Sequence, residues 1–351
     1  MVRILSLDGG GVRGLSELII LEAIMEKIGV TNGLKEAPLP CEYFDIIGGT
    51  STGGVIAIML GRLRMTVHDC IHAYKSLAAL AFTPKARWNL PGSPDGQFST
   101  MYLEKALKLA ISQQCQKKGC EDTSCEHSEH LFRDMDGCKT VVLAAKKDDI
   151  SGPPTLFKTY STDPQMAECK IWEVARATSA ATTYFRSIAC GRDQVEFVDA
   201  AIAGYNNPCR ILLDEAHNTF PKCRPSEFTI LSIGSGAKKS IAIKDSRTSI
   251  LLALKDMASD SDRVAIEMYT DLNREKYHRF NCANGLGDIK LSNWMRNHTI
   301  ASLTHDYLDN PDQKRRIEAC AKALIADKVT GRQAVTSRWR RGLIKLSEKI
   351  R

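Results

Sequence analysis

The 351 residues are 43% apolar and 25% charged, the balance of a folded globular chain rather than a disordered or fibrous one. No run reaches the roughly 18 unbroken apolar residues that a spanning helix needs. The net charge of +7 is uneven: residues 313–351 carry 12 Lys/Arg against 3 Asp/Glu, so the remainder is close to neutral and offers no basic face for nucleic acid.

In chain order, Val2–Leu7 is an apolar run that predicts a short strand buried on both faces. A largely apolar helix follows over 14–28, with Glu17, Glu22 and Glu26 marking its wet side. A second strand is expected at 43–48 and a second helix at 52–63. Further strands are expected at 140–145, 155–160, 195–198 and 228–233, with helices at 171–181 and 249–272 between them. Strands alternating with helices imply α/β, a mostly parallel sheet covered on both faces. Two segments depart from this rhythm. Residues 84–100 are rich in Pro, Gly and Ser, and 113–137 are polar and cysteine-bearing. Beyond Leu291 the pattern is helical, which divides the chain into 1–290 and a helical C-terminal region, 291–351, basic from about 313.

Two glycine-rich turns carry the chemistry. Gly49-Thr50-Ser51-Thr52-Gly53 is a G-x-S-x-G between an apolar strand and an apolar helix, the setting in which a serine projects from a tight turn as a nucleophile. Attack on an ester creates an oxyanion, which needs backbone N–H donors in a place free of side chains. Gly9, Gly10 and Gly11, at the end of the first strand, supply such a place. The same residues with Val12, Arg13 and Gly14 also fit G-x-G-x-x-G. A dinucleotide loop would need an acidic residue at a strand end about 20 positions on, and neither Glu26 nor Glu36 is so placed. For the base, none of the eight histidines lies at a strand end or in a glycine-rich turn. Asp199 follows a strand and precedes small residues. It reads either as a turn cap or as a base whose burial would lift its pKa from about 4.

These motifs together resemble the patatin-like phospholipase family. The resemblance rests on DGGGVRG at 8–14, GTSTGG at 49–54, ARATSAATTYF at 175–185 and Asn206-Asn207-Pro208 after Asp199, in the family's order. The segment RFNCANGLGDIKLSNW, 279–294, resembles the family's fungal branch. The resemblance implies a three-layer α/β/α patatin-like fold over 1–290 and calcium-independent hydrolysis of lipid acyl esters without a cofactor. It implies a Ser-Asp dyad of Ser51 and Asp199, and oxyanion donors at Gly10 and Gly11. Arg13, Gly14, Gly49 and Gly53 support the two motifs. It also implies a lipid substrate and transient contact with a membrane surface. The competing class is a signalling or effector module of a larger protein, silent or activated only on assembly. One departure stands out: the family usually has Gly after the aspartate, and here it is Ala200. If that residue has positive φ, alanine costs about 1 kcal/mol.

Two features stay open. Cys115, Cys120, Cys125 and His127, with His130 and Cys138 near them, offer zinc-type ligands at a spacing that matches no common zinc module. Free surface thiols and a disulfide or redox role are the alternatives. The basic tail reads as an amphipathic lipid-facing helix, a solvated closing helix or a linker. The N-terminus lacks the leader of a secretory signal, and twelve cysteines without one predict reduced thiols in the cytoplasm, at most peripheral to membranes.

Overall fold

A computed structural model describes residues 1–83, 97–117, 126–182, 184–236, 261–272, 275–283 and 285–325. Residues 249–260 of the helix expected at 249–272, most of the Pro-rich excursion, Cys120, Cys125 and the tail from 326 lie outside the described residues.

Its centre is an eight-stranded sheet. The strands are β1 (Val2–Leu7), β2 (Ile46–Thr50), β3 (Lys139–Lys146), β4 (Thr155–Lys158), β5 (Ile188–Cys190), β6 (Val195–Asp199), β7 (Phe228–Gly234) and β8 (Tyr277–Asn281). They lie in the order β5-β6-β3-β2-β1-β7-β8, with β4 beside β3. The run from β3 to β8 is parallel throughout. On the far edge of β3, β4 pairs with residues 141–144 and β6 with residues 144–146, both antiparallel. The helices are α1 (Gly14–Thr31), α2 (Pro40–Tyr43), α3 (Thr52–Ala57), α4 (Val67–Ala81), α5 (Thr100–Lys117), α6 (Ile171–Thr178), α7 (Cys209–Thr219), α8 (Ser261–Asp271), α9 (Asn297–Asp309) and α10 (Pro311–Ile325).

Every residue of β1 is buried, because the strand is central and covered on both sides. Its side chains alternate between two cores, as a pleated strand requires. Leu5 and Leu7 join Ile47, Val142 and Ile233 beneath α1, α3, α4, α5, α6, α9 and α10. Ile4 joins Ile46, Val141, Leu143 and Ile230 beneath α7 and α8. This gives three layers, α/β/α. Residues 291–325 close against α1: Thr304 Oγ1 donates to Ser16 Oγ at 2.8 Å, and Tyr43 Oη donates to Leu324 O at 3.2 Å.

Several expectations are corrected. The second helix is α-helical only to Ala57, and the chain continues as a π turn over Ile58–Arg62. The strands β5 and β8 were not foreseen, and α5 runs through the start of the polar excursion. Glu17 does not face water. It is fully buried, and neither carboxylate oxygen has a hydrogen-bond partner among the described residues. The first turn of α1 lies under the glycine loop and against α4, so Glu17 is interior, while Glu22 is half-buried and Glu26 exposed as expected.

Burial, then the nearby charge of Asp8, raises the Glu17 pKa well above its ordinary 4.5, while Arg279 and Arg13 oppose the shift. A raised folded-state value means that the stability tied to this proton is fully present below the unfolded value and is lost as pH rises through the folded one. Glu17→Gln keeps the shape and removes the titration. Its melting midpoint is expected to exceed that of wild type by several degrees at about pH 8, with the advantage shrinking toward about pH 5. Thermal melts across that range check this. An advantage that does not grow with pH contradicts it.

Candidate active site

The sharp feature is Ser51. It sits between β2 and α3 with φ 56° and ψ −128°, a left-handed backbone that a non-glycine residue adopts at a cost of about 1–3 kcal/mol. The surroundings hold it there. Ser51 N–H donates to Thr178 Oγ1 at 2.8 Å, and Thr178 Oγ1 donates to Leu143 O on β3 at 2.6 Å. Thr50 Oγ1 donates to Tyr205 O at 2.7 Å, and the first turn of α3 begins with Val55 N–H to Ser51 O at 3.1 Å. The flanking glycines make the turn possible by close approach. A Cβ on Gly53 would lie 2.3 Å from Asp8 O, and one on Gly49 would lie 2.2 Å from Gly53 O. The first turn of α3 therefore rests on the end of β1, and its dipole favours negative charge beside Ser51.

The glycine loop after β1 lies directly over the serine. A Cβ on Gly9 would stand 3.0 Å from Ser51 Cβ and 2.4 Å from Asn206 Oδ1. The three amides differ. Gly9 N–H donates to Asn206 O at 3.0 Å. Gly10 N–H donates to the Thr52 hydroxyl at 3.1 Å. Gly11 N–H donates to no atom among the described residues. Gly11 has φ +55°, and its carbonyl accepts a short hydrogen bond from Tyr74 Oη. Gly14 makes room for that tyrosine, since a Cβ there would meet Tyr74 Oη at 2.6 Å. Arg13 is buried, and its Nε donates to Gly10 O at 3.3 Å. It braces the loop from beneath.

Asp199 ends β6 and is buried. Its backbone pairs with Ala144 on β3, one residue beyond Leu143, which pairs with Thr50 on β2. The register thus brings Thr50, the residue before Ser51, and Asp199 to adjacent rows on either side of β3. The end of α6 ties both: Thr178 holds Ser51 N–H, and Ala180 O accepts from Asp199 N–H at 3.1 Å. Asp199 Oδ1 also accepts from Ala201 N–H at 2.9 Å, so this residue caps its turn as well. Ala200 is not among the positive-φ residues; it opens a 3₁₀ turn and is buried. The alanine is therefore unstrained where the family usually has glycine.

The histidines lie on other elements. His68 and His72 stack edge to face on α4, and His217 packs on Phe228. His127 Nδ1 and His130 Nε2 lie 3.3 and 3.4 Å from Cys115 Sγ. Among the described residues no three His, Cys, Asp or Glu side chains form a group that could hold a metal ion, and Cys138 is buried against Phe44 O. A cavity of about 1200 Å³, lined by Ile266, Tyr269, Phe280 and Arg316, runs along the outer edge of β8 and contains none of these site residues. Among the described residues no helix is long and apolar enough to cross a membrane.

Sequence reasoning gave no role to Tyr74, nor to Thr52, Asn206 and Thr178 within the motifs that contain them, yet these residues hold the two turns. It also missed a buried ion pair at the base of the glycine loop. Arg279 Nη1 and Nη2 donate to the two oxygens of Asp8 at 2.8 and 2.6 Å. Burial is the largest single influence on the Arg279 pKa and lowers it, but the charge and hydrogen bonds of Asp8, with Tyr277 and Cys209, together outweigh it and the net shift is upward.

Known proteins resemble this chain in sequence. Calcium-independent phospholipase A2-gamma of Rattus norvegicus is 28% identical over 351 aligned residues, covering 94% of this chain and 41% of that protein. The cGAMP-activated phospholipase of Vibrio cholerae is 32% identical over 67% of this chain and 64% of its own length. Patatin-like protein 1 of Arabidopsis thaliana is 28% identical over 68% of this chain and 60% of its own. The chain spans about two-fifths of the length of the mammalian relatives it matches. The family model for patatin-like phospholipases matches residues 5–213, the stretch that holds the glycine loop, Ser51 and Asp199, and the chain belongs to that family.

Proposed function

We propose that the chain is a lipid acyl hydrolase of the phospholipase A type, working through Ser51 and Asp199 without calcium. The observation that carries this reading is the strained backbone of Ser51 beneath the glycine loop, because such strain persists only where its surroundings over-determine it. Ser51 Oγ attacks the ester carbonyl as Asp199 takes its proton. The oxyanion is received by Gly11 N–H, and by Gly10 N–H once the Thr52 hydroxyl turns away. The Gly9 amide is committed to Asn206 O, so Gly9 serves close approach rather than donation. The tetrahedral intermediate collapses, and the lipid alcohol leaves with the proton from Asp199. Water, deprotonated by the same carboxylate, then releases the fatty acid from the acyl-serine. Neither step uses a cation, and activity at a membrane surface within the cytoplasm fits a lipid substrate.

The test is release of fatty acid from mixed phospholipid vesicles by purified protein in EGTA. Turnover is expected to stay within about twofold of that in calcium. Loss of activity in EGTA that calcium restores would replace this mechanism by a metal-assisted one. Absence of hydrolysis under both conditions would favour the silent module.

A further inference from the structure

The segment 279–291 lies beyond the residues matched by the family model, 5–213, yet it touches the glycine loop's supports at three points. Before the loop, Arg279 of β8 reaches past β7 to Asp8, with its Nη1 also donating to Ser232 Oγ at 2.8 Å. The Arg279 and Asp8 side chains are 6% and 1% exposed, so neither charge is answered by water. Beside the loop, Asn281 Oδ1 accepts from Gly236 N–H at 2.8 Å, which fixes the turn carrying Ser235. Ser235 Oγ donates to Gly9 O at 2.8 Å, and Gly10 packs on the same serine. After the loop, Leu291 O accepts from Val12 N–H at 2.8 Å. A Cβ on Gly11 would stand 2.1 Å from that carbonyl.

Asp8 gives the ion pair a second consequence. It is joined directly to the glycines that face Ser51. A buried carboxylate there, without its guanidinium, would oppose any negative charge developing on a substrate oxygen nearby. Arg279 therefore both fixes the strand end and neutralises its charge.

We infer that Arg279, Asn281 and Leu291 clamp the oxyanion loop, with Arg279 a positioning residue acting through Asp8 and Asn281 one acting through Gly236. The proposal rests on the reading of Ser51 as nucleophile. Neither side chain touches substrate; each acts on where the Gly10 and Gly11 amides stand. The effect should fall on the transition state and leave ground-state binding alone.

The experiment measures kcat and KM on a soluble ester for Arg279→Lys, Arg279→Met, Asn281→Leu and the double variant Asp8→Asn/Arg279→Met. Active sites are counted by titration with a fluorophosphonate, so unfolded protein does not enter the rate. Expected per titrated site is a kcat at least about tenfold lower for Arg279→Met and Asn281→Leu, with KM within about twofold of wild type. Arg279→Lys is milder. The double variant recovers much of the loss, because removing both charges leaves no buried carboxylate unpaired. If Arg279→Met does not fold, Arg279→Lys and Asn281→Leu carry the same test. Unchanged kcat per site in the folded variants overturns the proposal, as does a rise in KM alone. Hydrolysis that survives Ser51→Ala overturns instead the nucleophile assignment beneath it.

Discussion

Ser51→Ala is expected to abolish ester hydrolysis, lowering kcat by at least about four orders of magnitude, while leaving the fold intact. The change removes the Oγ that is proposed to form the acyl intermediate. It leaves the backbone bonds that hold the turn, Ser51 N–H to Thr178 Oγ1 and Val55 N–H to Ser51 O. Alanine at φ 56° keeps the same backbone strain, so the melting midpoint should move little. Activity assays beside thermal melts check both halves. Residual hydrolysis above about 1% of wild type would point to another nucleophile.

Asp199→Asn is expected to fall nearly as far. Asparagine retains Oδ1, so it can still accept from Ala201 N–H and cap the turn, but it cannot take the serine proton. Nucleophile and base act as one unit, so the double variant Ser51→Ala/Asp199→Asn should be no slower than the worse single one. Single alanine variants of the eight histidines form the comparison set. The two nearest in sequence to Asp199 illustrate why none should match it: His217 packs on Phe228, and His130 pairs with Cys115. A folded histidine variant as slow as Asp199→Asn would turn the dyad into a triad.

The parts of this molecule that were legible in sequence are those whose cause is local. The strands β1, β2, β3 and β7 are buried on both faces, so each is a nearly unbroken apolar run bounded by a turn. The serine and glycine turns carry their requirements in adjacent residues: small neighbours where backbones meet, and a helix directly after. By contrast, β8 reads Tyr-His-Arg-Phe-Asn, and its Arg279 faces inward. That inversion makes sense only with Asp8, which lies 271 residues away in the chain. Glu17 misleads for the same reason: the groups around it, Asp8, Arg13 and Arg279, come from three places in sequence. The glycine loop after β1 shows the limit most clearly. Three consecutive glycines offer three amides, and nothing local says which are taken. Asn206 and Thr52 settle that for Gly9 and Gly10, from a distant turn and from the next strand's exit. Thr178 and Tyr74, which hold Ser51 and Gly11, sit on helices that show only ordinary helical patterns.

The most direct measurement of the central claim is the site of covalent capture. Purified protein is treated with a fluorophosphonate, digested, and mapped by mass spectrometry. The account predicts one adduct, on the peptide carrying Ser51. It predicts none in Ser51→Ala and slowed capture in Asp199→Asn. An adduct on another residue, or equal labelling of Ser51→Ala, would contradict it.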